Sequence, residues 1–190
     1  MKSEIRVLGI DDAPFHFNQH KTSIIGIVMR GGSYIEAVLH RQVHVDGTDA
    51  THICIQMIEE SRYKQQLRAI LIDGVTLGGF NVLDCEQIYI ETNIPVLSLT
   101  RDQPNFEKIK KALQQHFPDW KNRYALVEKG DLISFDLLNS TLYGKCFGLT
   151  KEQAKEIIKL STIHGTIPEP IRVAHLVASG ITRGESYGKA

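Results

Sequence analysis

Residues 5–12 read Ile-Arg-Val-Leu-Gly-Ile-Asp-Asp, a short apolar run that ends in two acidic residues. Such a run is typical of a buried strand that stops at the edge of a sheet. A second apolar stretch, residues 22–29, ends at Arg30-Gly31-Gly32, and residues 34–45 then include alternating apolar and polar side chains. Glycine permits the positive φ that a tight hairpin needs. The start of the chain therefore predicts three antiparallel strands.

The rest of the chain alternates between helical and strand patterns. Helices are predicted from Asp49 to about Tyr63 and over residues 82–91, 104–116, 150–163 and 171–181. Strands are predicted over residues 68–72, 94–99, 124–128 and 140–144. A meander followed by alternating strands and helices predicts an α/β domain. Its mixed sheet is antiparallel first and parallel later, with helices on both faces.

The bulk composition narrows the function classes. The 190 residues are 42% hydrophobic, enough for one domain over 1–190, and 22 basic residues balance 22 acidic ones. A domain that coats DNA non-specifically usually has a basic excess, so contact with nucleic acid should be local. The three cysteines form no CxxC pair, and no apolar run approaches the roughly 18 residues of a membrane helix. We therefore expect a cytoplasmic protein without a membrane partner. The sequence has no obvious apolar stripe for self-association, so it gives no prediction of the oligomeric state.

Three acidic residues occupy equivalent places in the predicted sheet. Asp11 ends the first strand, Asp73 ends the fourth, and Asp49 opens the first helix. Neighbouring strand ends of an open α/β sheet meet in one crevice, where carboxylates repel each other unless a cation neutralises them. Oxygen ligands favour Mg²⁺ or Mn²⁺. The pattern predicts that all three are metal ligands and catalytic, although an Asp after a strand is more often a turn former or a helix cap, Asp49 especially.

Further candidates lie beside these acids. Asp12 and Asp46 are alternatives, but Asp12 cannot point the same way as Asp11 without a bend, and Asp46 precedes a glycine as turn residues do. The glycine-rich stretch after Asp73 is either a flexible loop or a place where main-chain N–H groups meet a sugar–phosphate backbone. Its candidate nucleic-acid contacts are Gly74, Thr76, Gly78 and Gly79.

Four ordered segments are similar to an archaeal family called endonuclease dU, which itself resembles endonuclease V. They are residues 7–15, 46–51, 72–74 and 168–175, which read Val-Leu-Gly-Ile-Asp-Asp-Ala-Pro-Phe, Asp-Gly-Thr-Asp-Ala-Thr, Ile-Asp-Gly and Pro-Glu-Pro-Ile-Arg-Val-Ala-His. The similarity covers nearly the whole chain. It implies a ribonuclease H-like fold and Mg²⁺-dependent cleavage of DNA or RNA strands near a deaminated base, a DNA repair activity. The acids of endonuclease V fall on Asp11, Asp49 and Asp73.

The chain departs from the endonuclease V pattern in three places. His175 stands where the last motif of endonuclease V has an acid, Leu39-His40-Arg41-Gln42 replaces its strand-separating wedge, and the loop after Asp73 lacks its histidine. His175 could hold a metal-bound water, or it could pack against the core. Glu185 could supply a fourth carboxylate or face solvent. Arg172, in the last motif, is a further candidate for nucleic-acid contact.

Two hypotheses of different classes follow from the sequence. The first is a metal-dependent endonuclease that acts near deaminated bases such as deoxyuridine. The second is a nucleic-acid-binding module that keeps the fold and has lost the activity, which the histidine at position 175 and the missing wedge favour.

Overall fold

The computed structural model describes residues 4–16, 18–137 and 140–186. Its strands form one mixed sheet in the order β3-β2-β1-β4-β5-β7-β6. Within those residues the strands are β1 (Arg6–Asp12), β2 (Lys21–Arg30), β3 (Tyr34–His44), β4 (Leu67–Asp73), β5 (Val96–Thr100), β6 (Ile133–Asp136) and β7 (Thr141–Phe147). The first three strands pair antiparallel, β1, β4 and β5 pair parallel, and β7 is antiparallel to both of its neighbours. The predicted meander and mixed sheet are confirmed.

The helices follow the strands much as their patterns predict. In the described ranges they are α1 (Ala50–Glu59), α2 (Cys85–Thr92), α3 (Phe106–His116), α4 (Trp120–Glu128), α5 (Lys151–Ser161) and α6 (Glu169–Arg183), with a short 3₁₀ turn at Lys64–Gln66. Thr150 and Gln153 form the capping box that opens α5. No helix in the described part of the chain is long and apolar enough to cross a membrane.

One predicted strand is wrong. Residues 124–128 are helical and form the end of α4. Their apolar composition suits a strand, but the buried side chains are Arg123, Tyr124 and Val127, whose spacing marks one face of a helix. The predicted strand over residues 140–144 corresponds to β7.

The two faces of the sheet are covered by different helices, and β1 illustrates the division. Leu8 and Ile10 pack in a core cluster with residues of α1 and α2. Val7 points to the other face, where it packs with residues of α5 and α6. Side chains alternate along a strand, so Asp11 belongs to the α5–α6 face and Asp12 to the opposite one. The alternation along β1 thus determines which helices Asp11 and Asp12 can contact.

Candidate metal centre

Asp11 and Asp73 lie side by side at one edge of the sheet. The parallel register pairs Ile10 of β1 with Ile72 of β4, so the acids that follow are neighbours. Leu71 packs in the same cluster as Val7, and alternation therefore puts Asp73 on the same α5–α6 face as Asp11. The structure thus brings together two of the three acids predicted from sequence.

Two carboxyl groups at this edge, those of Asp73 and Asp12, have a raised pKa. Burial, followed by the charge of Asp11, raises the pKa of Asp73 to about 6. Burial, again followed by Asp11, raises the pKa of Asp12 to about 7, and Asp73 adds to the effect. Because each rise reflects a charge that is poorly solvated and close to another acid, a cation would relieve both penalties.

His175 contacts Asp11 from above the sheet. Its ring Nδ1 lies 2.9 Å from Oδ2 of Asp11, while Oδ1 of Asp11 accepts the backbone N–H of Asp12 at 2.8 Å. The hydrogen bond to Asp11 raises the pKa of His175, and the charge of Asp73 acts in the same direction. Asp11 is 5% exposed, so the imidazole is a principal partner of a nearly buried carboxylate. His175 is therefore placed to orient Asp11.

Gly9 explains how the histidine reaches this position. A Cβ at Gly9 would lie 2.2 Å from the carbonyl carbon of Pro170 and 2.6 Å from the backbone nitrogen of Ile171. The start of α6 therefore packs directly on the backbone of β1, which only glycine allows. His175 lies one turn after Ile171 on the same face of α6, and Asp11 lies two residues after Gly9 on the same face of β1. The Gly-Ile-Asp segment and the Pro-Glu-Pro segment fit each other.

Arg101 is a functional candidate that the sequence interpretation missed. It follows β5, the third parallel strand, and its positive charge lowers the pKa of Asp73 and of His175. The strand-end argument that selected the acids would have found it, since β5 ends at the same edge as β1 and β4. Arg101 therefore adds a positive charge close to Asp73 and His175.

The glycine-rich loop is held by two of the alternative acids. Oδ2 of Asp12 accepts the N–H of Gly78 at 3.0 Å, and the carbonyl of Gly78 accepts the N–H of Asp46 at 2.8 Å. Oδ1 of Asp46 accepts the N–H of Phe80, also at 2.8 Å. A Cβ at Gly79 would lie 2.4 Å from that oxygen. Asp12 and Asp46 therefore fix the loop's shape.

Two other loop residues differ in their surroundings. Thr76 forms an isolated β-bridge with Val82. Gly74 has a φ of 70°, and a Cβ there would meet no atom within 4 Å. The backbone beside Asp73 therefore borders open space, which a substrate could approach.

Asp49 has different partners from the other two predicted ligands. Its Oδ2 lies 2.7 Å from Nδ1 of His44, and its Oδ1 accepts the side-chain amide of Asn81 at 2.6 Å. Burial alone would raise the pKa of Asp49, but the bonds from His44 and Asn81 outweigh it and hold that pKa below its usual value. The carboxylate is thus stabilised by protein donors.

The capping role expected of Asp49 is also corrected. Asp49 stands at the N-cap position of α1 without a side-chain bond to the first turn. Oδ1 of Asn81 instead accepts the N–H of Ala50 at 3.0 Å. Because the side chain of Asp49 turns back to His44, a residue 31 positions beyond Ala50 caps the helix in its place.

The remaining candidates lie along α6. Nε of Arg172 donates to Glu169 at 2.8 Å, and Glu169, 4% exposed, also accepts the N–H of His164. Arg172 is therefore part of an ion pair that braces the start of the helix, and its contact with nucleic acid stays a prediction. Glu185 is exposed beyond the end of α6 at Gly184.

A cavity of about 290 Å³ lies on the other side of the strand ends. Gly74, Ser98, Phe106, Val127 and Lys145 are among the residues that line it. Thr100 and Asp102 also face this cavity, while Arg101 between them influences the acids. One short segment after β5 therefore borders both the acidic site and the cavity.

The donor set fits a hydrated magnesium ion rather than a closed protein cage. Within the described residues, no group of three or more His, Cys, Asp or Glu side chains is placed to hold a metal ion by itself. Mg²⁺ commonly keeps several waters and takes one or two carboxylates together with substrate phosphates. Asp11 and Asp73 offer such a pair, and the raised pKa of Asp73 marks a charge in need of a counterion. A three-acid site with Asp49 stays a prediction.

Comparison with solved structures identifies the fold. A protein of unknown function from Archaeoglobus fulgidus is 37% identical, with a TM-score of 0.85 over 94% of this chain and 98% of its own. Endonuclease V of Ciona intestinalis, solved with DNA that contains inosine, is 14% identical, with a TM-score of 0.58 over 90% of this chain and 82% of its own. The ribonuclease H-like fold predicted from the resemblance is confirmed.

Sequence comparison identifies the family. A protein of Methanosarcina mazei, named only as a UPF0215 protein, is 46% identical over 193 residues, which cover 100% of this chain and 97% of that protein. The family model described as endonuclease dU matches residues 3–182. Because the match extends over nearly the whole chain, the protein belongs to the endonuclease dU family.

Proposed function

We propose that the protein is a metal-dependent endonuclease that cleaves nucleic-acid strands near deaminated bases such as deoxyuridine, as a DNA repair enzyme. The observation that carries the proposal is the juxtaposition of Asp11 and Asp73 at the ends of neighbouring parallel strands. Membership of the endonuclease dU family and the fold shared with endonuclease V support nuclease activity.

Each residue at the sheet edge has a task in this proposal. Asp11 and Asp73 would hold Mg²⁺ or Mn²⁺, which supplies a polarised water and neutralises charge on a phosphodiester. His175 holds the carboxylate of Asp11 in one orientation through the 2.9 Å contact. Arg101 contributes positive charge beside Asp73 and attracts the phosphate of the strand.

The polypeptide also limits how a strand can lie. Asp12 fixes the loop through Gly78, so the loop backbone is already shaped before a substrate binds. The open space at Gly74 gives a sugar–phosphate backbone room beside Asp73. Asp49 enters the proposal as a residue that orients His44 at the same sheet edge. A cytoplasmic location, suggested by isolated cysteines, stays a prediction.

The test is cleavage of labelled strands by the purified protein. DNA and RNA strands that contain uracil, hypoxanthine, xanthine or no lesion are incubated with Mg²⁺ or Mn²⁺, and with EDTA as the control. Metal-dependent cutting near at least one deaminated base is expected. Absence of cutting for every strand and both metals would contradict the proposal.

A catalytically inactive nucleic-acid-binding module is the second candidate. It is favoured by His175 in place of an acid and by residues 39–42 in place of the strand-separating wedge. Strand binding that is equal with and without metal, together with no cutting, would support this alternative.

A further inference from the structure

The cavity beside Gly74 has a polar pair at its wall that the site described above does not use. Ser98 of β5 and Lys145 of β7 are directly opposite each other in the antiparallel pairing. Both line the cavity, and they are 3% and 4% exposed. Opposite residues on one sheet face have Cβ atoms about 5 Å apart, so their polar atoms can reach the same small ligand.

Ser98 can only accept a hydrogen bond from such a ligand. Its hydroxyl donates to the carbonyl of Gly74 at 2.7 Å, and a carbonyl cannot donate in return. A hydroxyl has one hydrogen and two lone pairs, so Oγ keeps its accepting capacity. The same bond connects this cavity with the residue that follows Asp73.

Lys145 can only donate. Its Nζ donates to the carbonyls of Val127 at 2.6 Å and Lys129 at 2.9 Å. An ammonium group has three N–H bonds, so among the contacts of the described residues one N–H remains for a molecule in the cavity. Nζ also lies 5.6 Å from the ring centre of Phe106, which lines the same cavity.

A donor beside an acceptor matches one type of base edge. Uracil and hypoxanthine present a carbonyl oxygen next to a ring N–H. Cytosine and adenine present an amino group next to a ring nitrogen that accepts, which is the reverse pattern. Deamination converts the second pattern into the first, so the pair could detect the chemical change itself.

We propose that this cavity binds a base turned out of the strand, with Lys145 donating to its carbonyl and Ser98 accepting from its ring N–H. The proposal rests on the nuclease function proposed above and adds the residues that select the substrate. Phe106 and Val127 supply the apolar surface against which a flat ring can pack.

Thymine and guanine present the same edge, and base pairing keeps them out of the cavity. A base must leave its stack and its partner before it can enter, at a cost that is smallest for a mismatched base. Uracil opposite guanine is mismatched, whereas thymine opposite adenine is paired. Base pairing in the duplex therefore excludes thymine and guanine, whereas Ser98 and Lys145 exclude cytosine and adenine.

The experiment measures binding to single strands, where pairing has no influence. Fluorescent strands that contain only cytosine and adenine elsewhere, and that differ at one base, uracil, cytosine or 3-methyluracil, are titrated with the full chain in EDTA to prevent cutting. The wild type should bind the uracil strand about tenfold more tightly than the cytosine strand, as for one base edge read by two hydrogen bonds. The strand with 3-methyluracil, which lacks the ring N–H, should lose most of this advantage.

Two variants and one control assign the preference to the pair. Ser98→Ala and Lys145→Met should reduce the uracil preference to less than about twofold while affinity for the cytosine strand stays the same. Gln103→Ala, an exposed change at the cavity wall, should keep the full preference. Lys145 also donates a hydrogen bond to the end of α4, so thermal melting first shows whether Lys145→Met is folded. If Lys145→Met is unfolded, the Ser98→Ala variant and the 3-methyluracil strand alone test the proposal.

The outcomes separate this proposal from the nuclease assignment. Equal affinity of the wild type for uracil and cytosine strands, or a preference that survives Ser98→Ala, overturns the base-reading pair. Metal-dependent cutting together with equal affinities for the uracil and cytosine strands would support the nuclease proposal and refute the base-reading pair. A preference for the uracil strand without any cutting would support the base-reading pair and refute the nuclease proposal.

Discussion

Two acidic regions at the same edge of the sheet have opposite electrostatic states. At the ends of β1 and β4, burial and the charge of Asp11 raise the pKa of Asp73 to about 6 and of Asp12 to about 7. At the end of β3, hydrogen bonds from His44 and Asn81 hold the pKa of Asp49 below its usual value. Position after a strand is common to both regions, and the neighbouring donors make the difference. An acid without enough donors needs a cation, whereas an acid with its own donors stabilises the fold.

Asp73→Asn should produce the largest effect on activity. Removal of this carboxylate takes away half of the proposed metal pair, so Mg²⁺-dependent nicking should fall by about a thousandfold, which corresponds to several kcal/mol of lost charge stabilisation. The melting temperature should stay the same or rise slightly, because the raised pKa means that burial and the charge of Asp11 destabilise the ionised carboxylate in the folded state. Gel assays and thermal melting measure the two effects. Asp136→Asn, an exposed change on β6, is the control and should keep full activity; a fully active Asp73→Asn would remove this residue from the mechanism.

Gly9→Ala should disturb the β1–β4 region while the Asp49 region remains intact. The new methyl group would overlap the backbone of Pro170, so α6 must move and His175 with it. We expect a loss of about 1–3 kcal/mol in the free energy of unfolding, as for other overpacked cores, and a clear loss of nicking. A Cβ at Gly180 in the same helix would meet only the backbone nitrogen of Ser186, at an ordinary contact distance of 4.0 Å, so Gly180→Ala should be neutral or stabilising by up to about 1 kcal/mol. Equal urea midpoints for the two variants would contradict the close packing of α6 on β1.

The two regions should also respond oppositely to pH. The pKa of Asp49 is lowered by folding, so its stabilisation is present above the unfolded value of 3.8 and is lost as pH falls through the folded pKa. Asp49→Asn should therefore lower the melting temperature at pH 7 and lower it less near pH 3. The pKa of Asp73 is raised by folding, so the relative stability of Asp73→Asn should increase between about pH 4 and pH 6. Parallel pH profiles for the two variants would refute the contrast.

Glu185→Gln should have the smallest effect. The side chain is exposed beyond α6, and about 12 Å of helix separates His175 from Arg183 at 1.5 Å per residue. Nicking rate and melting temperature should both stay within experimental error of the wild type. A loss of activity similar to that of Asp73→Asn would show that the C-terminal acid belongs to the metal site.

Much of the site could be predicted because it follows from the order of the strands. Parallel neighbours end at one edge, so the expectation that Asp11 and Asp73 approach each other required only that β1 and β4 be adjacent and parallel, which they are. The capping box at Thr150 was predictable because it depends on residues three positions apart. Local rules and the strand order were sufficient for these features.

Other features depend on contacts between distant segments. Asn81 replaces Asp49 as the cap of α1 because a loop returns to the helix start, which spacing along the chain does not encode. The contact between His175 and Asp11 requires the close packing of α6 at Gly9. Ser98 and Lys145 share a cavity because β7 joins the sheet antiparallel beside β5. The sequence contains all of these residues, but their partners become apparent only in three dimensions.

Direct measurement of metal binding tests the central claim, that Asp11 and Asp73 form one cation site. Isothermal titration calorimetry with Mn²⁺ up to millimolar concentrations should show one site in the wild type and in Asp49→Asn, and none in Asp11→Asn or Asp73→Asn. Absence of Mn²⁺ binding to the wild type would contradict the account. So would Mn²⁺ binding that persists in Asp11→Asn or Asp73→Asn but is lost in Asp49→Asn.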